Sequence, residues 1–447
     1  METALRIEMP EGAEEIISRL KGRGYEAFAV GGCVRDSIMG RTPEDWDITT
    51  SAKPEQVKAL FARTVDTGIR HGTVTVLMGG NGYEVTTYRI DGEYRDGRHP
   101  KNVEFTASLK EDLRRRDFTI NAMAYNPGEG LIDVFGGMDD LKAGVIRCVG
   151  SARERFKEDA LRLLRAVRFS AQLGFSIEEE TEQAVRAMTS RLEMISRERI
   201  RAELDKLLTS PHPEYFRKAW ELGITAAIMP EFDVAMETPQ RSLYHTMTVG
   251  EHILETLKWV RPERVLRWTM LFHDLGKPQM KSEDPDGTIH FYGHAEKSAK
   301  IAGQIMNRLK FDNAAIHDVT LLVTFHDFPF GITPKGVRRA MNRLGELFPL
   351  LLEVCTADSM GKSRYAQETY LPKVARVRAY YEEIKKAGDC VSLKDLAIHG
   401  GDLIAAGFKP GKEIGKRLGE CLDAVMEDPG RNNREYLIEF CLKKRGS

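Results

Sequence analysis

Two aspartates separated by one residue are the first feature of this sequence that could do chemistry. Asp45 and Asp47 flank Trp46 at the start of an apolar run. In an extended chain, residues i and i+2 share a face, so both carboxylates point one way and Trp46 points into the core. Two adjacent carboxylates repel each other unless cations lie between them, and Mg²⁺ ions can do this while binding a triphosphate. The pair predicts a magnesium site, with an exposed acidic edge as the alternative.

A glycine pair precedes these aspartates and leads from a predicted strand into a predicted helix. Gly31 and Gly32 would let the backbone approach a triphosphate, and the start of the helix would present free N–H groups to it. Arg35 lies one turn into that helix and would reach the same phosphates. The alternative is an ordinary tight turn without a ligand.

A hairpin is predicted downstream, with strands at 73–78 and 83–89 separated by the glycine-containing segment 79–82. Glu84 lies on its second strand. It is a candidate third catalytic carboxylate, and a solvated strand glutamate is an equally good interpretation.

A row of charged residues at a spacing of three follows the mixed region. Asp159, Arg162, Arg165 and Arg168 are predicted to share one helix face. Cytosine and adenine both present an amino donor beside a ring-nitrogen acceptor, whereas guanine and uracil present a carbonyl beside an N–H. Asp159 could accept from the amino group while Arg162 donates to the ring nitrogen, so the row could select C and A. The alternative is a solvated, ion-paired stripe.

Histidines and aspartates recur across the predicted helices of a later segment. Imidazole with carboxylate suits Mn, Fe, Ni or Mg at a hydrolytic centre. His252, His290 and His317 lie off the pattern, and we expect structural roles for them. The residues on the pattern are His245, His273, Asp274, His294, His326 and Asp358.

The elements that must position these residues change character near residue 150. Strand and helix signals alternate before it, and helical periodicity dominates from residue 153. We therefore expect an α+β part, a mixed sheet with helices, followed by all-α parts. The expected boundaries are 1–150 for the mixed part, 151–240 and 241–362 for two helical parts, the second carrying the histidines, and 363–447 for a helical tail.

Composition excludes several classes of protein. The 447 residues are 42% hydrophobic and 30% charged, which is typical of a soluble globular chain, and the net charge of −1 leaves only local basic patches for nucleic acid. Six scattered cysteines without a CxxC pair favour a reducing, cytoplasmic setting. The sequence shows neither an apolar signal segment at its start nor 18 consecutive apolar residues.

Five segments closely resemble the bacterial-type (class II) CCA-adding tRNA nucleotidyltransferases, which are similar to bacterial poly(A) polymerases. They are GGCVRD, DWDITT, EVTTYR, EDLRRRDFTINAM and RFKEDALRLLRAVRF, collinear over about 25–235. The resemblance implies a polymerase-β-like head followed by helical neck, body and tail domains. It implies that Asp45 and Asp47 hold the Mg²⁺ ions and that the nucleotide is bound by Gly32, Arg35, Arg116, Asp159, Arg162, Arg165 and Arg168.

The histidine pattern resembles the HD-superfamily phosphohydrolases. That resemblance implies that His245, His273, Asp274 and Asp358 ligate a first metal. It also implies that His294 and His326 match the extra ligands of two-metal members, and the ions would be a divalent transition metal or Mg²⁺. Lys277 would then stabilise a phosphate oxyanion.

The expected reaction is template-independent addition of C and A from CTP and ATP to tRNA 3′ ends, by in-line attack of the RNA 3′-hydroxyl on the α-phosphate. In the family a loop at 91–101 is needed for the final A, and this one looks full length. The basic residues Lys443, Lys444 and Arg445 are expected to touch the tRNA backbone. We expect no membrane and no protein partner.

Two alternatives remain open. One is an A-adding or poly(A)-type enzyme with the same chemistry. The other is primarily an HD phosphohydrolase acting on RNA ends, with the head as an RNA-binding module. The second alternative would be favoured by a damaged aspartate pair or RRD segment, and both are intact.

Overall fold

The computed structural model describes residues 5–91, 103–240, 244, 246–285, 287–327 and 331–444. The chain forms two compact units, Met1–Pro230 and Glu231–Ser447, called here the N-terminal and C-terminal units. Nearly all of the predicted loop at 91–101 lies outside the described residues, and so do His245 and Arg445. The finer division into four parts stays a prediction.

The N-terminal unit contains both strands and helices. Its strands are β1 (Ala27–Val30), β2 (Ile48–Thr50), β3 (Thr64–Gly68), β4 (Thr73–Met78), β5 (Asn81–Thr87), β6 (Arg89–Asp91), β7 (Val103–Phe105), β8 (Met123–Asn126), β9 (Gly130–Asp133), β10 (Val145–Ile146) and β11 (Ser176–Ile177). Its helices are α1 (Glu11–Lys21), α2 (Gly32–Ile38), α3 (Pro54–Leu60), α4 (Leu109–Arg114), α5 (Gly137–Ala143), α6 (Ala152–Glu158), α7 (Leu161–Leu173), α8 (Glu179–Met188), α9 (Arg197–Leu208), α10 (Phe216–Glu221) and α11 (Ile224–Ile228).

Seven strands form a mixed sheet in the order β3-β4-β5-β2-β1-β8-β9. β2 runs parallel to β5, and β1 pairs antiparallel with both β2 and β8. Every residue of β1 and β2 is buried, as their apolar and threonine-rich sequences require in the centre of a sheet. This sheet confirms the predicted α+β fold of the head, and the hairpin formed by β4 and β5 confirms the predicted one.

The predicted continuous helix face from Asp159 to Arg168 is wrong at its first residue. α6 ends at Glu158, and Asp159 has extended backbone angles, φ −139° and ψ 106°. The Asp159 carboxylate accepts a hydrogen bond from the Leu161 N–H, 3.0 Å away. Aspartate side chains commonly compete in this way with helix hydrogen bonds and cap the helix that follows. The base-reading candidate Asp159 therefore sits between two helices.

The C-terminal unit is mostly helical. α12 (Pro230–Glu237) begins at the boundary, and the other helices are α13 (Val249–Leu257), α14 (Arg264–Phe272), α15 (Lys277–Met280), α16 (His294–Arg308), α17 (Asn313–Phe325), α18 (Pro334–Leu344), α19 (Phe348–Met360), α20 (Arg364–Ala387), α21 (Gly400–Ala405), α22 (Lys412–Glu427) and α23 (Arg434–Lys443). Two short strands, β12 (Ser282–Glu283) and β13 (Ile289–His290), form an antiparallel pair. One core gathers α17 to α20 around Phe348, and another gathers the tail helices around Cys421 and Leu437.

All six cysteines are buried and unbridged. Cys421 and Cys441 come closest, with their sulfur atoms 3.2 Å apart in the tail core. None of the described helices is both long and apolar enough to cross a membrane. The cytoplasmic setting stays a prediction.

Candidate active sites

The aspartate pair lies at the edge of the central sheet, directly before β2. Asp45 and Asp47 are exposed, and Trp46 between them is only 8% exposed, as the alternation predicted. The backbone holds this edge in place, because the Asp47 carbonyl accepts a hydrogen bond from the Val30 N–H at 3.0 Å. The two carboxylates therefore project together from a fixed strand end.

Electrostatics at this edge favour a cation. Desolvation raises the pKa of Asp47, the Arg116 guanidinium lowers it in part, and the neighbouring Asp45 raises it further. Desolvation and both aspartates raise the pKa of Glu84 as well. Glu84 stands on β5, whose register with β2 aligns Val85 with Ile48 and so sets Glu84 beside Asp47. Asp45, Asp47 and Glu84 thus gather negative charge at this edge, and carboxylate oxygens are ligands that Mg²⁺ prefers.

The glycine turn brings Arg116 close to the start of α2. Gly31 has φ +83°, a conformation that strongly favours glycine, and a Cβ there would lie 3.1 Å from Arg116 Nη1. Gly32 then begins α2, and Arg35 follows within it. A side chain at Gly31 would be strained by this backbone conformation and would require the Arg116 guanidinium to shift.

Arg35 belongs to a buried polar network that joins the glycine turn to the RRD segment. Its Nη1 donates to Asn121 Oδ1 at 2.6 Å, and it pairs with Asp36 through two hydrogen bonds. The Asn121 amide donates in turn to Asp117 Oδ1 at 3.2 Å. Asp117 holds Arg165 at 2.5 Å. Burial alone would raise the pKa of Asp117, but Arg165 and Arg162 lower it well below its ordinary value.

A cavity of about 700 Å³ connects these groups. Its walls include the aspartate pair, the glycine turn and Arg35 on one side, and residues of α7 on another. The site residues that line it are Gly32, Arg35, Asp45, Asp47, Arg116, Arg165 and Arg168, and the lining does not include Asp159 or Arg162. Carboxylates and guanidiniums therefore face one open space large enough for a nucleotide.

Each member of the charged row has its own ionic partner. Asp159 pairs with Arg199 at 2.7 Å, and Arg162 pairs with Glu158 at 2.6 Å. Asp159 and Arg162 are therefore each engaged by a charged residue from outside the row.

Arg165 and Arg168, the last two residues of the row, line the cavity and contact Phe169. Arg168 pairs with Glu203 at 2.9 Å, and its guanidinium lies 3.4 Å from the centre of the Phe169 ring. Burial lowers the pKa of Arg168 to about 10, although Glu203 opposes the shift. Arg35 and Arg165 also lie 5.2 Å from the same ring, so Phe169 is surrounded by three guanidiniums that face the cavity.

The C-terminal unit brings most of its predicted metal ligands together. One group comprises His252, His273, Asp274 and Asp358, and a second comprises Asp274, His294 and His326. Asp274 belongs to both: its Oδ2 lies 3.3 Å from His273 Nε2, and its Oδ1 lies 3.3 Å from His294 Nε2. Both Asp274 oxygens are buried, and neither accepts a hydrogen bond of good geometry from the described residues.

Backbone carbonyls orient the imidazole rings through their Nδ1 atoms. The Nδ1 atoms of His273, His294 and His326 lie 2.7–2.9 Å from backbone carbonyls three residues earlier, and His252 Nδ1 lies 3.0 Å from the Gly361 carbonyl. When Nδ1 carries the proton, Nε2 is a lone-pair donor aimed inward. The inward nitrogens then face each other, 3.2 Å apart for His252 and His273, and such atoms repel unless a cation lies between them. The donor set therefore fits one or two divalent ions.

Two lysines complete the wall of this second site. Lys277 Nζ lies 2.7 Å from Asp274 Oδ2, and Lys362 Nζ lies 2.6 Å from Asp358 Oδ2. Burial alone would raise the pKa values of Asp274 and Asp358, but these lysines and the histidines lower both well below the ordinary value. Burial would lower the pKa of His273, yet the two aspartates raise it to about 9. A cavity of about 970 Å³ opens onto the group, and both lysines line it.

Sequence reasoning missed His252 as a ligand candidate. Its ring is 1% exposed, and its Nε2 lies 3.0 Å from Asp358 Oδ1. This geometry adds His252 to the candidate metal ligands. The available signal was the capping box of Thr248 and Glu251 that opens α13, because it places His252 on the buried face of a helix. His290 and His317 pair with Asp284 and Asp318 and belong to neither ligand group.

Comparison with known proteins defines the class. Residues 27–147 match the Poly A polymerase head domain, and residues 290–441 match tRNA nucleotidyltransferase domain 2. Residues 174–236 match the RNA and SrmB-binding site of polymerase A. With the mixed sheet and its aspartate pair, these matches make the protein a nucleotidyltransferase of the polymerase-head type.

Full-length relatives narrow the assignment. The chain is 36% identical over 431 residues to the CCA-adding enzyme of Lactiplantibacillus plantarum, covering 96% of this chain and 95% of that one. It is 34% identical to the CCA-adding enzyme of Enterococcus faecalis, covering 97% and 96%. The crystal structure of the Bacillus stearothermophilus CCA-adding enzyme in complex with CTP matches with a TM-score of 0.72 at 30% identity, covering 98% of each chain. The chain belongs to the CCA-adding enzyme family.

Proposed function

We propose that this protein adds C and A nucleotides from CTP and ATP to tRNA 3′ ends. The observation that carries the proposal is the single cavity that joins Asp45 and Asp47 to Arg35, Arg116 and the arginines of α7. One wall thus offers carboxylates for metal ions, and the others offer guanidiniums for phosphates and base. The relatives' names and the CTP complex of the Bacillus stearothermophilus enzyme support the same reaction.

The chain's own residues have separable tasks in this reaction. Arg116 and Arg35 bind the triphosphate beside the Gly31–Gly32 turn, and Asp45, Asp47 and Glu84 provide oxygen ligands. Mg²⁺ bound there would lower the pKa of the attacking 3′-hydroxyl and neutralise the leaving pyrophosphate. Asp117 and Asn121 hold Arg165 and Arg35 in fixed positions, so the phosphate end and the base end of the cavity are rigidly connected.

Base selection is proposed for Asp159 and Arg162, with Arg165 and Arg168 as further nucleotide contacts. Arg162 begins the turn of α7 that leads into the cavity-lining Arg165. Its guanidinium is held by Glu158 and by the Arg115 carbonyl at 2.8 Å. The carbonyl contact ties the selecting arginine to the RRD segment that also supplies Arg116 to the cavity.

One gel separates this proposal from its nearest rivals. The protein is incubated with tRNA lacking CCA, tRNA lacking only the final A, and oligo(A), each with labelled CTP or ATP. We expect addition of both C residues and of A to the first, of A to the second, and none to oligo(A). Incorporation of A alone would identify an A-adding enzyme, and extension of oligo(A) would identify a poly(A)-type enzyme.

We also propose a metal-dependent phosphohydrolase site in the C-terminal unit. It is supported by the convergence of His252, His273, Asp274 and Asp358, with His294 and His326 on the other side of Asp274. A divalent ion bound there would generate a hydroxide near neutral pH. Lys277 Nζ also donates a hydrogen bond to Gln240 Oε1 at 2.9 Å, and it would stabilise a phosphate oxyanion in this site.

Hydrolysis of a generic phosphomonoester, measured with Mn²⁺, Ni²⁺ or Mg²⁺ and after chelation, tests this second activity. We expect phosphate release that requires the metal and disappears on chelation. A purified protein that binds no metal in elemental analysis and releases no phosphate with any of the three ions would contradict the proposal.

A further inference from the structure

Asp358 divides its two carboxylate oxygens between the histidine ligands and a lysine. Its Oδ1 lies 3.0 Å from His252 Nε2 and 3.6 Å from His273 Nε2. Its Oδ2 accepts a hydrogen bond from Lys362 Nζ at 2.6 Å. One oxygen therefore faces the imidazole nitrogens that would share a metal ion, and the other is held by an ammonium group.

Asp274, the second aspartate of the same ligand group, has a different relation to its lysine. Lys277 Nζ lies 2.7 Å from Oδ2, and this oxygen also lies 3.3 Å from His273 Nε2. The other oxygen, Oδ1, lies 3.3 Å from His294 Nε2. Both Asp274 oxygens therefore face imidazoles, and Lys277 shares an oxygen that a metal ion would use. The lysine at Asp358 instead binds Oδ2, while the imidazole contacts are made at Oδ1.

The turn that follows α19 keeps Lys362 in this position. Its side chain is 8% exposed, and Nζ lies 4.6 Å from the centre of the Tyr370 ring, where a cation is attracted to the ring face. The Gln367 side-chain amide donates hydrogen bonds to the carbonyls of Met360 and Lys362, both at 3.0 Å. Backbone and side chain are thus both anchored, so the ammonium group is a fixed partner for Oδ2 of Asp358.

The number of oxygens that a carboxylate offers decides which ions it suits. Ca²⁺ takes about six to eight oxygen ligands and accepts carboxylates through both oxygens. Transition ions such as Co²⁺ bind imidazole nitrogen far better than Ca²⁺ does. Two imidazoles with one oxygen each from Asp274 and Asp358 therefore make a donor set that suits a transition ion.

We propose that Lys362 is a positioning residue for the first metal site, the ligand group of His252, His273, Asp274 and Asp358. By holding Oδ2, it limits Asp358 to one metal-facing oxygen and so selects a transition ion against Ca²⁺. The inference rests on the proposed metal-dependent site and adds the residue that sets its choice of ion. Loss of Lys362 should let Asp358 present both oxygens, which favours Ca²⁺.

The ratio of two metal affinities isolates this effect. Removing a lysine also removes a positive charge, and this raises the affinity for every cation. Because the Coulomb effect depends on the charge of the ion, it is the same for Co²⁺ and Ca²⁺ and cancels in the ratio of their affinities. Co²⁺ bound to imidazoles absorbs visible light, and its displacement by Ca²⁺ measures the ratio at the histidine site. His294→Ala in every protein removes a ligand of the second group, so the first metal site is observed alone.

The experiment compares Lys362→Met, Lys362→Arg and Lys277→Met. Lys362→Met removes the donor, so the Co²⁺-over-Ca²⁺ ratio should fall about tenfold, as is typical when an outer partner of a metal ligand is lost. Lys362→Arg keeps a donor for Oδ2 and should keep the ratio. Lys277→Met removes the same charge beside Asp274 and should raise both affinities without changing the ratio. Thermal melting of each variant checks folding.

Asp358→Asn provides a second test, because its amide offers a metal only one oxygen. In the double variant Asp358→Asn with Lys362→Met, the ratio should return to the value of the parent protein. This double variant contains no unpaired buried charge, so it serves even where Lys362→Met alone fails to fold.

Three results would overturn the inference: an unchanged ratio in folded Lys362→Met, an equal fall in Lys277→Met, or a low ratio in the double variant. If the wild type gave no visible absorption with Co²⁺, the proposed metal site itself would be wrong instead, so the two failures are distinguishable.

Discussion

The two candidate sites treat carboxylates in opposite ways. At the sheet edge, Asp47 and Glu84 have pKa values raised by desolvation and by their neighbouring carboxylates. In the C-terminal unit, Asp274 and Asp358 are fully buried, but lysines and imidazoles lower their pKa values. At the first site Arg116 offsets the repulsion around Asp47 only in part, and the aspartates are open to solvent. In the second site the carboxylates are buried and lie beside lysines and imidazoles.

This contrast indicates different relations to metal. An open, acidic edge with oxygen donors is suited to ions that arrive with a triphosphate and leave with pyrophosphate. A buried set of imidazole nitrogens, each oriented by a backbone carbonyl, is suited to an ion that stays bound between turnovers. Variants at the two sites should therefore differ in activity, bound metal and stability.

The largest effect is expected at the sheet edge. Asp45→Ala or Asp47→Ala should lower nucleotide addition by about a thousandfold or more, because the lost charge stabilisation is worth several kcal/mol. Neither variant should unfold the chain, since both carboxylates are exposed. Single-turnover incorporation of labelled CTP measures the loss, and circular dichroism checks the fold. Near-normal rates in either variant would remove the two-metal interpretation.

The second prediction concerns independence of the two sites. Replacing His273 and Asp274 with alanine should abolish metal-dependent phosphate release and lower the bound metal found by elemental analysis. Incorporation of CTP and ATP should stay within about twofold, since the head's ligands lie in the other compact unit. A conservative Asp274→Asn variant guards against misfolding. A folded variant that had lost incorporation would make the histidine site part of the polymerising machinery.

The third prediction concerns base choice. Asp159→Ala should lower discrimination against UTP and GTP by roughly 10- to 100-fold, because the amino group of C or A loses a partner worth about 1–3 kcal/mol. Triphosphate binding should change little, since Arg35 and Arg116 are untouched. Misincorporation assays with each nucleotide alone measure the ratio. If this variant kept its full preference for CTP and ATP, the charged residues from Asp159 to Arg168 would be interpreted only as an ion-paired stripe without a role in base selection.

The smallest effect is expected in the pH dependence of metal-free stability. The folded-state pKa of Asp47 is raised, so its ionised form destabilises the fold above that pKa, and the penalty is lost as pH falls through it. At neutral pH, Asp47→Asn should therefore raise the melting temperature in chelator, by no more than about 2 °C. Mg²⁺ should then stabilise the wild type more than the variant. A lower melting temperature for Asp47→Asn would contradict the repulsion on which the comparison rests.

The sequence predicted local geometry better than long-range geometry. The alternation of Asp45, Trp46 and Asp47 and the strands around them follow from period-two patterning, and the structure confirms that fold. The break between α6 and α7 at Asp159 was not predicted. Charged residues spaced by three suggest one continuous helix, even where one of them caps the start of a second helix. The exchange of partners in the row was also invisible, since Arg199 and Glu203 lie 40 and 35 residues from their partners.

At the histidine site, too, the sequence predicted adjacent residues better than residues brought together by packing. His273 and Asp274 are adjacent, so the sequence alone suggested that they bind one metal ion. The structure brings His294, His326 and Asp358 to them. The capping box of Thr248 and Glu251 shows where the helix of His252 begins, but it does not show what His252 meets. Only packing of α13 against α14 and α19 turns His252 toward Asp358.

The position of Asp274 in both ligand groups has an evolutionary consequence. A lineage that loses His294 or His326 keeps the group of four ligands, so one candidate metal site remains and a single mutation could restore the other. A lineage that loses Asp274 disables both groups in one step, and little then remains for selection to preserve in the surrounding histidines. Among descendants of this protein, the codon for Asp274 should therefore mark the point at which the second site decays into ordinary helical core.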